Sequence, residues 1–332
     1  MVNPTKIPIL SVTVERWPIA GSFTISRGAK TEALVVIAEL SDGTVRGRGE
    51  CVPYARYGES PDSVVAALEA ARPQIAAGLT RKALQTEMLP GAARNALDCA
   101  FWDLEAKRAN RPVWQLAGLP APRPLTTAFT ISLATPDSMA QAAAAAASRP
   151  LLKIKLGGNG DPARIAAVRN AAPKAELIAD ANEGWNPDNL SENLAACERA
   201  GVTLVEQPLP AKNDSALSTF ARPIAVCADE SVHDRTSLAA LVGKYDAVNI
   251  KLDKAGGLTE ALMMAEEAEK LGFQIMAGCM VGTSLAMAPA LLLAQRARYV
   301  DLDGPLLLAR DRDNGLRFDG SLVHPPSPAL WG

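Results

Sequence analysis

The chain has 332 residues, 48% hydrophobic and 21% charged, with a formal net charge of −2. That length suits one large and one smaller domain, and without a basic block nothing favours nucleic acid or an anionic membrane as a partner. No apolar run reaches spanning length, and five scattered cysteines without a CxxC are expected as reduced thiols in a cytoplasm, not as a zinc site or disulfide frame.

The first residues carry no basic-then-apolar leader. Strands are predicted at 9–15, 33–40 and 45–51, with Ser41-Asp-Gly-Thr44 as a turn, which makes an antiparallel meander. Polar loops are expected at 19–29, with Ser26 and Arg27, and at 52–60, with Tyr54, Arg56, Tyr57 and Glu59. Ser60-Pro-Asp-Ser63 opens a helix that should run to about residue 77, broken near Pro73. A second helix over 90–108 places Ala96, Ala100 and Leu104 on one stripe, and its Arg94 and Asp98 should form an ordinary i,i+4 ion pair. Pro120-Ala-Pro-Arg-Pro124 reads as a stiff linker.

Beyond the linker, short apolar runs alternate with helix-like stretches. The runs are 126–132, 151–156, 177–181, 203–206, 224–228, 247–252, 274–277 and 299–302. Eight such runs predict a parallel sheet closed into a (β/α) barrel. A doubly wound open sheet competes, but no glycine fingerprint follows the first run. The domains are therefore placed at 1–122, an α+β unit, and 123–305, the barrel, with 306–332 crossing back to the first.

Unusual polar residues fall at the C-terminal ends of these runs, the active face of a barrel. Lys153 and Lys155 end the second, Asp180 the third, Glu206 the fourth, Asp229 the fifth and Lys251 the sixth. Gly278 and Cys279 follow the seventh, and Asp301 and Asp303 end the eighth. Strands two and six are opposite in a ring of eight, so Lys155 and Lys251 should face each other. Asp180, Glu206 and Asp229 would lie on the arc between them, an all-oxygen set that suits Mg²⁺, not Zn²⁺. A metal chelating a substrate carboxylate stabilises the enediolate left when the α-proton departs. Lysine is normally an ammonium, with a reference pKa of about 10.4, and Lys153 together with a nearby divalent cation should push Lys155 down toward the neutral amine that a base requires. Two lysines on opposite walls can remove a proton from one face of a carbon and return it on the other. Asp301 and Asp303 share a face and should hold a cation such as an α-ammonium.

With Lys153-Ile-Lys155, Asp180-Ala-Asn182, Glu206-Gln-Pro208, Ala228-Asp-Glu-Ser231, Asn249-Ile-Lys251-Leu-Asp-Lys-Ala-Gly-Gly257, Gly278-Cys-Met280 and Asp301-Leu-Asp303-Gly-Pro305, the chain resembles the enolase superfamily and, within it, the dipeptide epimerases. Pro53-Tyr-Ala-Arg-Tyr-Gly-Glu-Ser60 and Gly91-Ala-Ala-Arg-Asn-Ala-Leu-Asp98 resemble the L-Ala-D/L-Glu type. Enolase-type sites are known to pair a lysine or histidine base with Mg²⁺. The resemblance implies a (β/α)7β barrel under an α+β cap completed by the C-terminal tail. It implies Lys155 and Lys251 as the acid/base pair and one Mg²⁺ on Asp180, Glu206 and Asp229. Lys153 would steady the substrate carboxylate, Asp301 and Asp303 the dipeptide ammonium. Thr130 and Cys279 would line the pocket, and Arg27 would pair with an acidic substrate side chain.

The expected activity is a cytoplasmic isomerase, a dipeptide epimerase in cell-wall peptide recycling, whose partner is a small dipeptide; a homo-oligomer is compatible. The alternatives are a cycloisomerase or N-acylamino acid racemase on the same scaffold, or a metal-stabilised barrel that binds peptides without turnover. Glu230 and Asp253 read as groups that support the metal ligands or form salt bridges, Lys254 as a local ion-pair partner, and His233 and His324 as incidental. No histidine stands ready to activate Cys279 as a nucleophile.

Overall fold

The computed structural model describes residues 6–332. Three antiparallel strands come first: β1 (Ile9–Ile25), β2 (Gly28–Ser41) and β3 (Arg46–Cys51). The segment 19–29 is not the polar loop its composition suggests. It is the far end of a long hairpin, paired from Ile9–Ser41 out to Ile25–Gly28 with one irregularity between Pro18 and Phe23. Most of that end is exposed or half-exposed, so it needs no apolar alternation to stay a strand.

Four helices follow: α1 (Pro61–Ala70), α2 (Arg72–Ala76), α3 (Arg81–Glu87) and α4 (Ala92–Ala109). Ser60 caps α1 in a reciprocal box with Ser63, and Pro61 takes the first helical position, where its missing N–H costs nothing. The break expected near Pro73 falls at Ala71, because a proline disfavours the helical turn that precedes it. Helix α4 lies on β3 at very close range. A Cβ on Gly47 would meet the Ala100 carbonyl and the Leu104 amide, and one on Gly49 would meet the Ala96 carbonyl. The absence of side chains there lets helix and strand touch backbone to backbone.

The first apolar run after the linker divides. Its start is β4 (Leu125–Thr126), and only its end, β5 (Phe129–Ile131), joins the parallel sheet. The other parallel strands are β6 (Leu151–Lys155), β7 (Glu176–Asp180), β8 (Val202–Glu206), β9 (Ala225–Ala228), β10 (Ala247–Ile250), β11 (Gln274–Ala277) and β12 (Tyr299–Val300), adjacent in chain order. The ring closes where the Ala128 N–H donates to the Val300 carbonyl at 2.8 Å. Closure is visible in the core as well. Ala128, Leu151, Ile178, Leu204, Cys227, Ala247, Met276 and Tyr299, one residue from each wall position, form a single buried cluster that plugs the interior.

The tail pairs back twice. Strands β13 (Phe318–Asp319) and β14 (Leu322–Val323) form a hairpin on β4. Farther on, the Trp331 indole donates to the Cys99 carbonyl and the Gly332 amide to Asp103, both on α4. Among the described residues no helix is long and apolar enough to cross a membrane.

Gly49→Ala should destabilise the fold by about 1–3 kcal/mol, the usual cost of forcing a methyl into a packed site. Urea unfolding measures it, and an unchanged midpoint would mean that α4 can lift off β3 without loss.

Candidate active site

The plug residues locate the site. Side chains two or four residues further along the same strand face the same interior, one layer nearer the C-terminal mouth. From Leu151 this rule gives Lys153 and Lys155, from Ile178 Asp180, from Leu204 Glu206 and from Cys227 Asp229. From Ala247 it gives Asn249 and Lys251, from Tyr299 Asp301 and Asp303, and from Ala128 Thr130. All ten are buried. Strand register then sets Lys155 beside Asp180 and Asp180 beside Glu206.

The charged groups interleave. The Lys153 ammonium lies 2.7 Å from Asp301 Oδ2, 2.6 Å from Glu206 Oε2 and 3.3 Å from Asp180 Oδ2. Its approach to Glu206 is close without being directed as a hydrogen bond, so that oxygen has no donor. Lys155 donates to Asp180 Oδ2 at 2.6 Å and Lys251 to Asp229 Oδ2 at 2.8 Å. Lys254 donates to the other oxygen and the backbone carbonyl of Asp229, both at 2.6 Å. Asn249 Nδ2 donates to Glu206 Oε1 at 2.7 Å. Only glycine fits at position 278, since a Cβ there would strike that amide.

Several titrating groups reflect this arrangement. Burial alone would lower Lys251, yet Asp229 and Glu206 outweigh it and hold the ammonium well above its ordinary range. Lys153 is raised in the same way, against burial, by Asp301, Glu206 and Asp180. Lys153 and Lys251 are therefore both held as ammonium groups by acids that neighbouring strands bring to them. Asp180 is held at about 2 by Lys155 and Lys153 despite its burial. Glu206 is pushed up to about 7 by burial and by Asp180. Asp303 also rises to about 7, through burial and the neighbouring Asp301.

Asp301 and Asp303 share the interior face, but their carboxylates differ. Asp301 Oδ1 is buried without a donor, whereas Asp303 Oδ2 accepts the Thr130 backbone N–H at 2.7 Å. Cys279 is half-buried, and burial pushes its thiol well up, the state of a wall residue and not of a nucleophile. Arg27, at the tip of the β1–β2 hairpin, reaches the barrel. Its guanidinium is engaged by the chain itself: 2.7 Å from Glu230 Oε1, 2.9 Å from the Asn182 carbonyl and 3.1 Å from the Tyr54 hydroxyl. Arg56 forks onto Glu183 at 2.7 and 2.9 Å. These two arginines latch the hairpin and the next loop over the mouth.

Several participants escaped the sequence reading. Asn249 follows from the same period-two rule that gave Lys251. Tyr57 packs edge-on against His233, close enough to Asp229 and Lys251 to feel both charges. Gln207 accepts the Asp229 and Ser231 amides and carries a positive φ of 34°, as do Asn182 at 45° and Glu183 at 66°. These strained backbones lie within three residues of two strand-end acids, Asp180 and Glu206, and no local residue pattern announces them.

The three acids proposed for Mg²⁺ are on one arc, yet among the described residues no trio of His, Cys, Asp or Glu is gathered as a metal cage. The reason is visible: Asp180 and Asp229 are each turned onto an amine, and Lys153 lies against Glu206. The donor chemistry nonetheless fits a hard cation. All three are carboxylates, burial and mutual repulsion raise Glu206, and the oxygens Glu206 Oε2 and Asn249 Oδ1 are buried without a donor.

Comparison with known proteins agrees. Residues 9–118 match the mandelate racemase/muconate lactonizing enzyme N-terminal domain, and 137–327 the enolase C-terminal domain-like family. An L-Ala-D/L-Glu epimerase of Escherichia coli is 47% identical over 317 residues, 95% of this chain and 99% of that one. An N-acetyl-D-glutamate racemase of Pseudoalteromonas is 46% identical, covering 90% of this chain and 95% of the relative. An Agrobacterium tumefaciens enolase-family structure with bound sodium and L-Ala-L-Glu is 58% identical with a TM-score of 0.96, covering 98% of this chain and 100% of that one. A dipeptide epimerase of Enterococcus faecalis with Mg and L-Leu-L-Tyr is 28% identical with a TM-score of 0.91, over 99% and 100%.

Lys153→Met should destabilise the protein by roughly 3–5 kcal/mol, because it strands buried carboxylates without their common cation. Urea unfolding in EDTA reads this loss; an unchanged midpoint would show that the acids need no ammonium among them.

Proposed function

Because this chain belongs to the enolase superfamily, we propose that it is a Mg²⁺-dependent dipeptide epimerase acting on L-Ala-D/L-Glu. The observation that carries this reading is the pair of buried lysines, Lys155 on β6 and Lys251 just past β10, four strands apart in the ring with carboxylates between them. The substrate α-carbon would lie between the two amines. One lysine, as the neutral amine, takes the α-proton onto Nζ. The other, as the ammonium, gives a proton to the opposite face, and the centre inverts. Lys251, paired with Asp229, is already in the proton-giving state.

Asp180, Glu206 and Asp229 would hold the metal, which supplies Lewis-acid stabilisation of the negative charge that builds on the substrate carboxylate. Lys153 places a positive charge at the same spot. Asp301 offers its donor-free oxygen to the substrate ammonium, with Asp303 alongside, and Thr130 and Cys279 form the wall. Arg27 would exchange Glu230 for an acidic substrate side chain; relatives named for glutamate substrates support this choice. Five free thiols suit a reducing cytoplasm, where cell-wall peptides would be recycled. The N-acetyl-D-glutamate racemase relative supports a second reading, the same proton transfer on an N-acylated glutamate.

Deuterium incorporation from heavy water at the α-carbon, screened over dipeptides and N-acyl amino acids with Mg²⁺, tests both readings; no incorporation in any of them rejects catalysis of this type. Lys155→Ala and Lys251→Ala should each abolish two-way epimerisation, a loss of roughly 100-fold or more, while leaving α-proton exchange of a single epimer. Retained inversion in either variant rejects two-base chemistry. Asp303→Asn should harm dipeptides far more than N-acetylated analogues, and equal losses would remove Asp303 from ammonium recognition.

A further inference from the structure

The two lysines are not held alike. Lys155 is inside β6, fixed by ladder register with Asp180. Lys251 is one residue past β10 and heads the single helical turn Leu252–Ala255. Its position depends on what holds that turn, and much of what holds it comes from helix α4, on the other domain.

Arg94 donates to the Ala255 carbonyl at 2.7 Å and the Gly256 carbonyl at 3.1 Å, capping acceptors at the end of the turn. Asn95 Nδ2 donates at 2.8 Å to Asp253, whose same oxygen also accepts the Val52 N–H at 3.0 Å. Asp98 accepts from the Thr259 amide at 2.9 Å and hydroxyl at 2.6 Å, just beyond the turn. Gly256 and Gly257 have φ of 85° and 114°, and a Cβ on either would collide with the Arg94 guanidinium or the Asp98 carboxylate. The paired glycines are thus the socket into which α4 presses. Arg94 and Asp98 do not form the ion pair that their spacing suggests. From the barrel side Lys254 ties the same turn to Asp229.

We infer that Arg94, Asn95 and Asp98 of the N-terminal domain are positioning residues for Lys251, so that docking of α4 sets one face of the proton-transfer site and leaves the Lys155 face alone. This rests on the two-lysine reading proposed above. A displacement of about 1 Å at a reacting group costs on the order of 100-fold in rate.

The test is solvent-deuterium exchange into L-Ala-L-Glu and L-Ala-D-Glu, measured separately with Mg²⁺ in the full-length protein. Arg94→Met is the first variant; Arg94→Lys, which keeps the charge and one donor, serves if the first does not fold. Lys251→Ala is the reference. Exchange should fall on the order of 100-fold for the epimer that Lys251→Ala fails to exchange and stay near wild type for the other, with kcat affected and KM little changed. Equal losses for both epimers, or no loss, would overturn the inference while Lys251→Ala remains one-sided. A Lys251→Ala variant that treats both epimers alike would instead defeat the two-lysine reading, and this inference with it.

Discussion

A buried ammonium among carboxylates is the constraint on which the mouth of this barrel depends. Strand register forces Asp180 and Glu206 side by side, with Asp229 next along the arc. Charges this close and this dry repel strongly, and desolvation adds to the cost. Lys153 answers three acids at once, and Lys155, Lys251 and Lys254 answer the rest. Removing Lys153 leaves charge that the interior cannot dissolve, since it alone among the lysines reaches Glu206 and Asp301. The same alternation keeps acid and amine within a few ångströms of a shared cavity, which is what proton traffic requires.

Much of this was legible beforehand because it depends on a short period. A strand repeats every two residues, so a lysine or aspartate two places beyond a plug residue must share its cavity. Applied to six of the eight apolar runs, that rule recovers Lys153, Lys155, Asp180, Glu206, Asp229, Lys251, Asp301 and Asp303. It could not show the one split run: Thr126 looks like the start of β5 but, with Leu125, pairs with β14, a partner nearly 200 residues away that no local pattern reveals.

The misreadings share a cause. The 19–29 hairpin looked like a loop because its exposed faces carry no apolar signature. Arg94 and Asp98 looked like partners because helical spacing was the only geometry in view. In the folded chain both are buried against the other domain, Arg94 on the Ala255 and Gly256 carbonyls and Asp98 on Thr259, more than 150 residues on. Two ammonium groups are obvious in Lys153-Ile-Lys155, but the acids that hold Lys153 charged arrive from other strands.

The anchoring of Trp331 on Cys99 has a temporal consequence. A ribosome delivers α4 some 230 residues before the indole that seals it, and the whole parallel ring is threaded out in between. The opening unit must therefore wait, partly unsealed, through the synthesis of the other, and contacts this distant in sequence form late. During that interval its unfinished apolar surface is open to chaperones and to neighbouring chains. Maturation of the two units is thereby tied to a common final event.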